Sequence, residues 1–158
     1  MTDDYLQIMI ESLEKKIDIL DKVIELDKRQ LNISLAQPLD VEAYDASMDE
    51  KGELIDEIGK LDDGFTVMYE RVKEPVAENP DLYREKVKKL QELIRIAVDK
   101  GVSIEAMEKR NKQSIQAALS QKRKEIRQIK VSSSAATKYY QNMSKVNYID
   151  PQLMDRKK

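Results

Sequence analysis

Between Asn79 and Lys130, apolar residues recur at alternating steps of four and three: Tyr83, Val87, Leu90, Ile94, Ala97, then Ile104, Ile115, Leu119, Ile126 and Ile129. That rhythm lays them along one stripe of a helix and marks a coiled-coil seam. A single helix over these positions would hold roughly 50 residues and be on the order of 75 Å long, against about 40 Å across for a compact globule of this chain length. The stretch therefore demands an elongated arrangement. Asn79 is placed to cap the helix, Pro80 occupies a position whose missing N–H costs nothing, and Asp81 adds negative charge to the first turn. Gly101, Glu108, Asn111 and Lys122 interrupt the seam, so its second half has a weaker reason to be buried within its own molecule.

Two further helices precede it. Thr2 can cap the first, with Asp3 and Asp4 in the opening turn, and Leu6, Ile10, Leu13, Ile17, Leu20, Ile24 and Leu31 repeat the four-three step with a break only at Asp27. The helix is expected to end near Leu35. The short link Ala36–Leu39, containing Pro38, implies an antiparallel neighbour. Asp40 caps the second helix, and Leu39 and Tyr44 are spaced for a hydrophobic staple. That helix is predicted over about Val41 to Lys73, with Val41, Tyr44, Met48, Ile55, Ile58, Phe65 and Val72 on one stripe and Leu54, Leu61 and Met68 beside it. Lys51 stands at a seam position. Folding the two helices about residue 39 brings Lys51 near Asp27, which predicts a pair that fixes the register. Gly52, Gly59 and Gly64 each weaken a helix interior by up to about 1 kcal/mol and mark either close helix approach or local looseness. Pro75 is expected to end the second helix, with Glu74–Glu78 as a loop.

Composition bears on function mainly by exclusion. The chain has 158 residues, 41% hydrophobic and 37% charged, with no His, Cys or Trp. The usual zinc sites, thiol nucleophiles and histidine-based acid–base machinery are therefore missing. Acidic neighbours such as Asp49 and Glu50, Asp56 and Glu57, or Asp62 and Asp63 point about 100° apart on a helix and make poor catalytic or metal pairs. No phosphate loop or internal repeat is present, so no enzyme, cofactor or metal is expected. No apolar run approaches membrane-spanning length and no signal-like start is present, which predicts a soluble, cytoplasmic protein without membrane insertion.

Residues 1–79 carry 21 acidic and 9 basic side chains, whereas residues 80–158 carry 9 acidic and 19 basic. In a folded-back bundle the two halves neutralise each other, so the basic half is not read as a nucleic-acid surface. The expected fold is all-α: an elongated antiparallel three-helix coiled-coil bundle with a long third helix, residues 1–130, followed by a C-terminal partner-binding tail, residues 131–158.

Helix two is too short to flank all of helix three, so Gln113–Lys130 is expected to project without cover, about 25 Å of amphipathic helix. Beyond Lys130 a serine run gives way to a polar segment studded with Tyr and Met, a composition suited to ordering on a partner. The candidate partner-binding residues are Ile115, Leu119, Ile126 and Ile129 on the projection and Tyr139, Tyr140, Met143, Val146, Tyr148 and Ile149 in the tail. The alternatives are a tail that packs back on the bundle and a structural bundle that homodimerises through the overhang.

The run Glu50-Lys51-Gly52-Glu53-Leu54-Ile55 followed by Leu61-Asp62, and the close Asn147-Tyr148-Ile149-Asp150 through Asp155-Arg156-Lys157-Lys158, resemble the FlgN-type flagellar export chaperones. The layout of a helical hairpin, a longer third helix and a basic tail is similar across most of the chain, with Pro151 as a departure. The resemblance implies a cytoplasmic type III export chaperone without ATPase activity. It would hold exported hook-associated, hook–filament junction proteins through its C-terminal region, with export apparatus components as further partners.

Overall fold

The computed structural model describes residues 1–129, which form three helices: α1 (Thr2–Leu35), α2 (Val41–Glu78) and α3 (Arg84–Ile129). The fold is an all-α antiparallel three-helix bundle in which α3, with 46 residues, is the longest element. No strand occurs among the described residues, and none of their helices is long and apolar enough to cross a membrane.

Local signals set most of the helix ends. Asp3 and Asp4 occupy the first turn of α1, where they complement the helix dipole. At α2 the Asp40 carboxylate accepts the Ala43 N–H at 3.0 Å while its backbone carbonyl accepts the Tyr44 N–H at 3.1 Å, the geometry of an N-cap. Leu39 packs on the apolar cluster that contains Tyr44, as the staple spacing requires.

The proline rules fail at the other end of α2. Pro75 lies inside the helix, which continues to Glu78. In the last turn a proline costs one backbone hydrogen bond, and Val72, almost fully buried, and Val76, packed beside it, gain apolar cover by keeping the helix intact. The Asn79 N–H closes that turn on the Pro75 carbonyl at 3.1 Å. Asn79 is therefore not the cap of α3. Its carbonyl accepts the Leu82 N–H at 3.2 Å in a separate turn, and Tyr83, whose carbonyl accepts the Val87 N–H, holds the cap position ahead of α3.

Each helix contributes to two compact units, the first formed by Met1–Lys22 and Asp56–Val102. Its core joins Leu6, Met9, Ile10 and Leu13 of α1 to Val72 of α2 and to Leu90 and Leu93 of α3. Ion pairs bridge the helices at Lys16–Asp62 (2.7 Å), Lys86–Asp3 (2.9 Å) and Lys100–Asp21 (2.5 Å). The last two join the acidic α1 to the basic α3, the charge matching that the composition predicts. One seam position is corrected: Leu93 is buried and Ile94 is 41% exposed. Adjacent residues diverge by about 100°, and a step of three from Leu90 leads on to Ala97 as well as a step of four.

The second unit comprises Val23–Ile55 and the described residues from Ser103 onward. Here Tyr44 and Met48 at the start of α2 enclose Ile115 and Leu119 of α3, with Ile33, Leu39, Val41 and Ala118 around them. The expected bare projection from Gln113 is thus wrong for its first turns. With α2 running 38 residues instead of about 33 and α3 starting only at Arg84, cover reaches further along α3 than the sequence-based alignment allowed.

Candidate functional site

The second unit contains two features that apolar packing alone does not account for, a buried polar centre and an open groove. The polar centre is assembled from all three helices, each supplying polar residues at positions where the seam calls for apolar ones. Asp27 and Gln30 come from α1, Ser47 and Lys51 from α2, Glu108 and Asn111 from α3, and all six are buried. Lys51 is only 1% exposed. Its ammonium donates to Asp27 Oδ1 at 3.0 Å, Gln30 Oε1 at 2.6 Å and Glu108 Oε1 at 2.7 Å. The amide of Gln30 donates onward to Ser47 Oγ at 3.0 Å, and Ser47 donates to the Tyr44 carbonyl at 2.5 Å. Asn111 Nδ2 donates to the Asp27 backbone carbonyl at 2.8 Å.

The expected pairing of Asp27 with Lys51 is present, and it is a buried pair. Glu108, Asn111 and Gly101, which interrupt the apolar pattern of α3, are themselves buried, so the four-three rhythm continues through them. Burial pushes the Glu108 carboxyl up to about 8; the Lys51 charge opposes that shift, and the neighbouring Asp27 carboxyl adds to it. With its members sealed from solvent, this centre offers a substrate no access and acts on the fold. Among the described residues, no group of three or more metal-ligating side chains is placed to hold an ion.

The groove lies where the link between α1 and α2 faces α3, an open concavity of about 960 Å³. Leu31, Ser34 and Leu35 at the end of α1 and the link residues 36–39 form one wall, and the α3 face from Arg110 to Glu125, with Ser114, Ala117, Ala118 and Lys122, forms the other. Ser34 Oγ and Ser114 Oγ lie 2.6 Å apart across its floor. Ser34 already donates its proton to the Leu31 carbonyl at 2.7 Å, so Ser114 is the donor between the two hydroxyls. Small side chains on α3 and exposed apolar atoms at Leu35 give the groove room for a partner's side chains.

The candidate partner-binding residues divide into three groups. Ile115 and Leu119 are each 1% exposed in the core and present nothing to a partner. Ile126 and Ile129 lie in the last turns of α3. Tyr139, Tyr140, Met143, Val146, Tyr148 and Ile149 lie outside the described residues. The sequence reading did not identify the groove, because the α3 face that lines it recurs at helical spacing but in small and polar residues, which leave no apolar stripe to detect. Gln30 and Ser47 were detectable in principle, since they stand one helical turn from Asp27 and Lys51 on the same buried stripe. No family model, curated protein or solved structure matches the chain.

Proposed function

We propose that this chain is a non-enzymatic chaperone of the flagellar type III export pathway, acting in the cytoplasm and holding the terminal helices of hook-associated proteins before export. The observation that carries this reading is the groove of the second unit, an open concavity bordered by the exposed Leu35 and by Ala117 of α3, on the helix that leads into residues 131–158. An amphipathic helix from the partner would set its apolar side chains against Leu35, Ala117 and Ala118. Arg110 on the rim would favour an acidic residue beside it, whereas the charge of Lys122 is already paired with Glu125, which also lines the groove. The Tyr- and Met-bearing segment 131–158 would add contacts to the bound helix, with its aromatic side chains supplying area at low entropic cost. The similarity of residues 147–158 to the close of FlgN-type chaperones supports the choice of partner. No covalent step is involved.

The test is calorimetric titration of the purified full-length chain, and of a chain ending at residue 130, with the purified terminal helical segment of a hook–filament junction protein. Saturable binding by the full chain, weakened about tenfold or more in the shorter one at equal helicity, is the expected result. Equal binding by both, or none by the full chain, overturns the proposal. A solution mass of two chains that the truncation leaves unchanged would favour the homodimeric bundle instead.

A further inference from the structure

The polar centre of the second unit has a proton-counting problem that its geometry resolves. Lys51 spends all three of its N–H groups on Asp27 Oδ1, Gln30 Oε1 and Glu108 Oε1. The Gln30 amide is directed to Ser47, Ser47 to the Tyr44 carbonyl, and the Asn111 amide to the Asp27 backbone carbonyl. None of these donors serves Asp27 Oδ2, which is buried with no hydrogen-bond partner. Two ionised carboxyls around one ammonium would also leave a net negative charge where Asp27 is fully buried and Glu108 is 7% exposed. An uncompensated charge and an orphaned acceptor are both expensive in such a place.

We infer that Glu108 keeps a proton in the folded protein and donates it to Asp27 Oδ2, so that α1, α2 and α3 are latched together by one carboxylic acid, one carboxylate and one ammonium. A single proton removes both faults: it supplies the missing donor and brings the buried charge to zero. The charged groups that face Glu108 across the helix contacts are Asp27 of α1 and Lys51 of α2, and on α3 itself Glu105 and Lys112 stand one turn to either side. Burial and Asp27 both act to keep the acid form, as the raised titration of Glu108 reflects. The latch goes beyond the partner-binding reading and does not depend on it.

The direction of the pH effect follows from linkage. The unfolded chain loses this proton at the ordinary glutamate value of 4.5, while the folded chain holds it up to about 8. Stability from Glu108 is therefore complete below 4.5, is lost progressively up to about 8, and changes no further above that.

Two measurements on the full chain test this. In the first, the side-chain carboxyl carbon of Glu108 is followed by NMR through a pH titration of the wild-type protein. In the second, urea denaturation from about pH 5 to about pH 9 compares the wild type with Glu108→Gln, whose amide reproduces the donor and acceptor of the protonated acid without titrating. The expected result is a Glu108 titration near 8, and a wild-type folding constant that falls relative to the variant by about tenfold per pH unit and then levels off. In Asp27→Asn the titration is expected to move down, because the neighbouring charge has gone. A Glu108 carboxyl that titrates in the ordinary range overturns the inference, as does a wild-type-to-variant ratio that stays flat across the window. The NMR arm decides the question even if a variant fails to fold.

Discussion

Lys51 Nζ and Glu108 Oε1 are 2.7 Å apart although 57 positions separate them in the chain, and both are residues that interrupt an otherwise apolar seam. Their contact explains why the interruptions are tolerated. A seam of Leu and Ile alone permits neighbouring helices to slip by a turn with little change in burial, whereas an ammonium with three acceptors from two other helices is satisfied in one alignment only. The polar centre thus gives the second unit a unique register. The energetic sign of such a centre depends on keeping it whole.

Removing the cation is the harshest single change. Lys51→Met would leave Asp27 and Glu108 buried without their common donor and should cost about 3–5 kcal/mol in urea denaturation near neutral pH. The Arg29–Glu50 pair joins the same two helices, α1 and α2, at 2.5 Å, but both side chains are 55% exposed. A double-mutant cycle there should return less than about 1 kcal/mol, falling with added salt. Similar costs for the two sites would contradict the account of the polar centre.

How much of this was legible from sequence depends on which residues set each feature. The start of α2 rests on Asp40, whose capping effect is local and follows from the sequence, whereas at α1 Thr2 is already the first helical residue and the cap position falls to Met1, whose carbonyl accepts the Tyr5 N–H. The meeting of Asp27 with Lys51 followed from folding two helices about a short link. Glu108 and Asn111 were visible as breaks in the pattern but not as partners, because the register of α3 depends on the turn at 79–82 and on Pro75. There a local rule lost to tertiary packing: Val72 and Val76 hold α2 helical past the proline. That one displacement also made Ile115 and Leu119 look unshielded. The groove left no trace because concavity arises from how α1, the link and α3 meet, which no single helix records.

Two glycines in α2 are open to improvement. A methyl group added at Gly52 or Gly64 would meet nothing within 4 Å, so neither marks a close helix approach. Gly52→Ala and Gly64→Ala should each raise stability by about 0.5–1 kcal/mol through helix propensity alone, read as a higher denaturation midpoint at unchanged slope. A loss of stability at either site would reveal a contact that the geometry does not contain.

The cap at Asp40 is a point where a local bond supports the wall of the groove. Asp40→Ala removes the acceptor for the Ala43 N–H and should cost about 1 kcal/mol, while Asp40→Asn, which keeps a capping oxygen, should cost much less. Leu39 and Tyr44 flank this cap in the same apolar cluster. Hydrogen exchange in the first turn of α2 should therefore accelerate in the alanine variant before it does elsewhere in the chain.

Neighbouring residues of α3 separate folding from partner binding. Ile115 and Leu119 pack against Tyr44 and Met48, so Ile115→Ala and Leu119→Ala should each cost about 2–5 kcal/mol by opening a cavity in the core, whether or not a partner is present. Ala117 lies between them in sequence, is exposed, and faces the groove. Ala117→Arg should leave stability within about 0.5 kcal/mol, since an exposed helical alanine has no packing to lose and arginine is a good helix former. If the groove receives a partner helix, the same substitution places a long cationic side chain in its path and should weaken binding of the junction-protein segment by about tenfold or more, measured calorimetrically. The pattern is diagnostic because a change in α3 that acted only through general destabilisation would rank Ile115 and Leu119 above Ala117 in both assays. Unaltered binding in Ala117→Arg, with the full chain otherwise competent, would move the contact surface away from the groove and onto residues 131–158 alone.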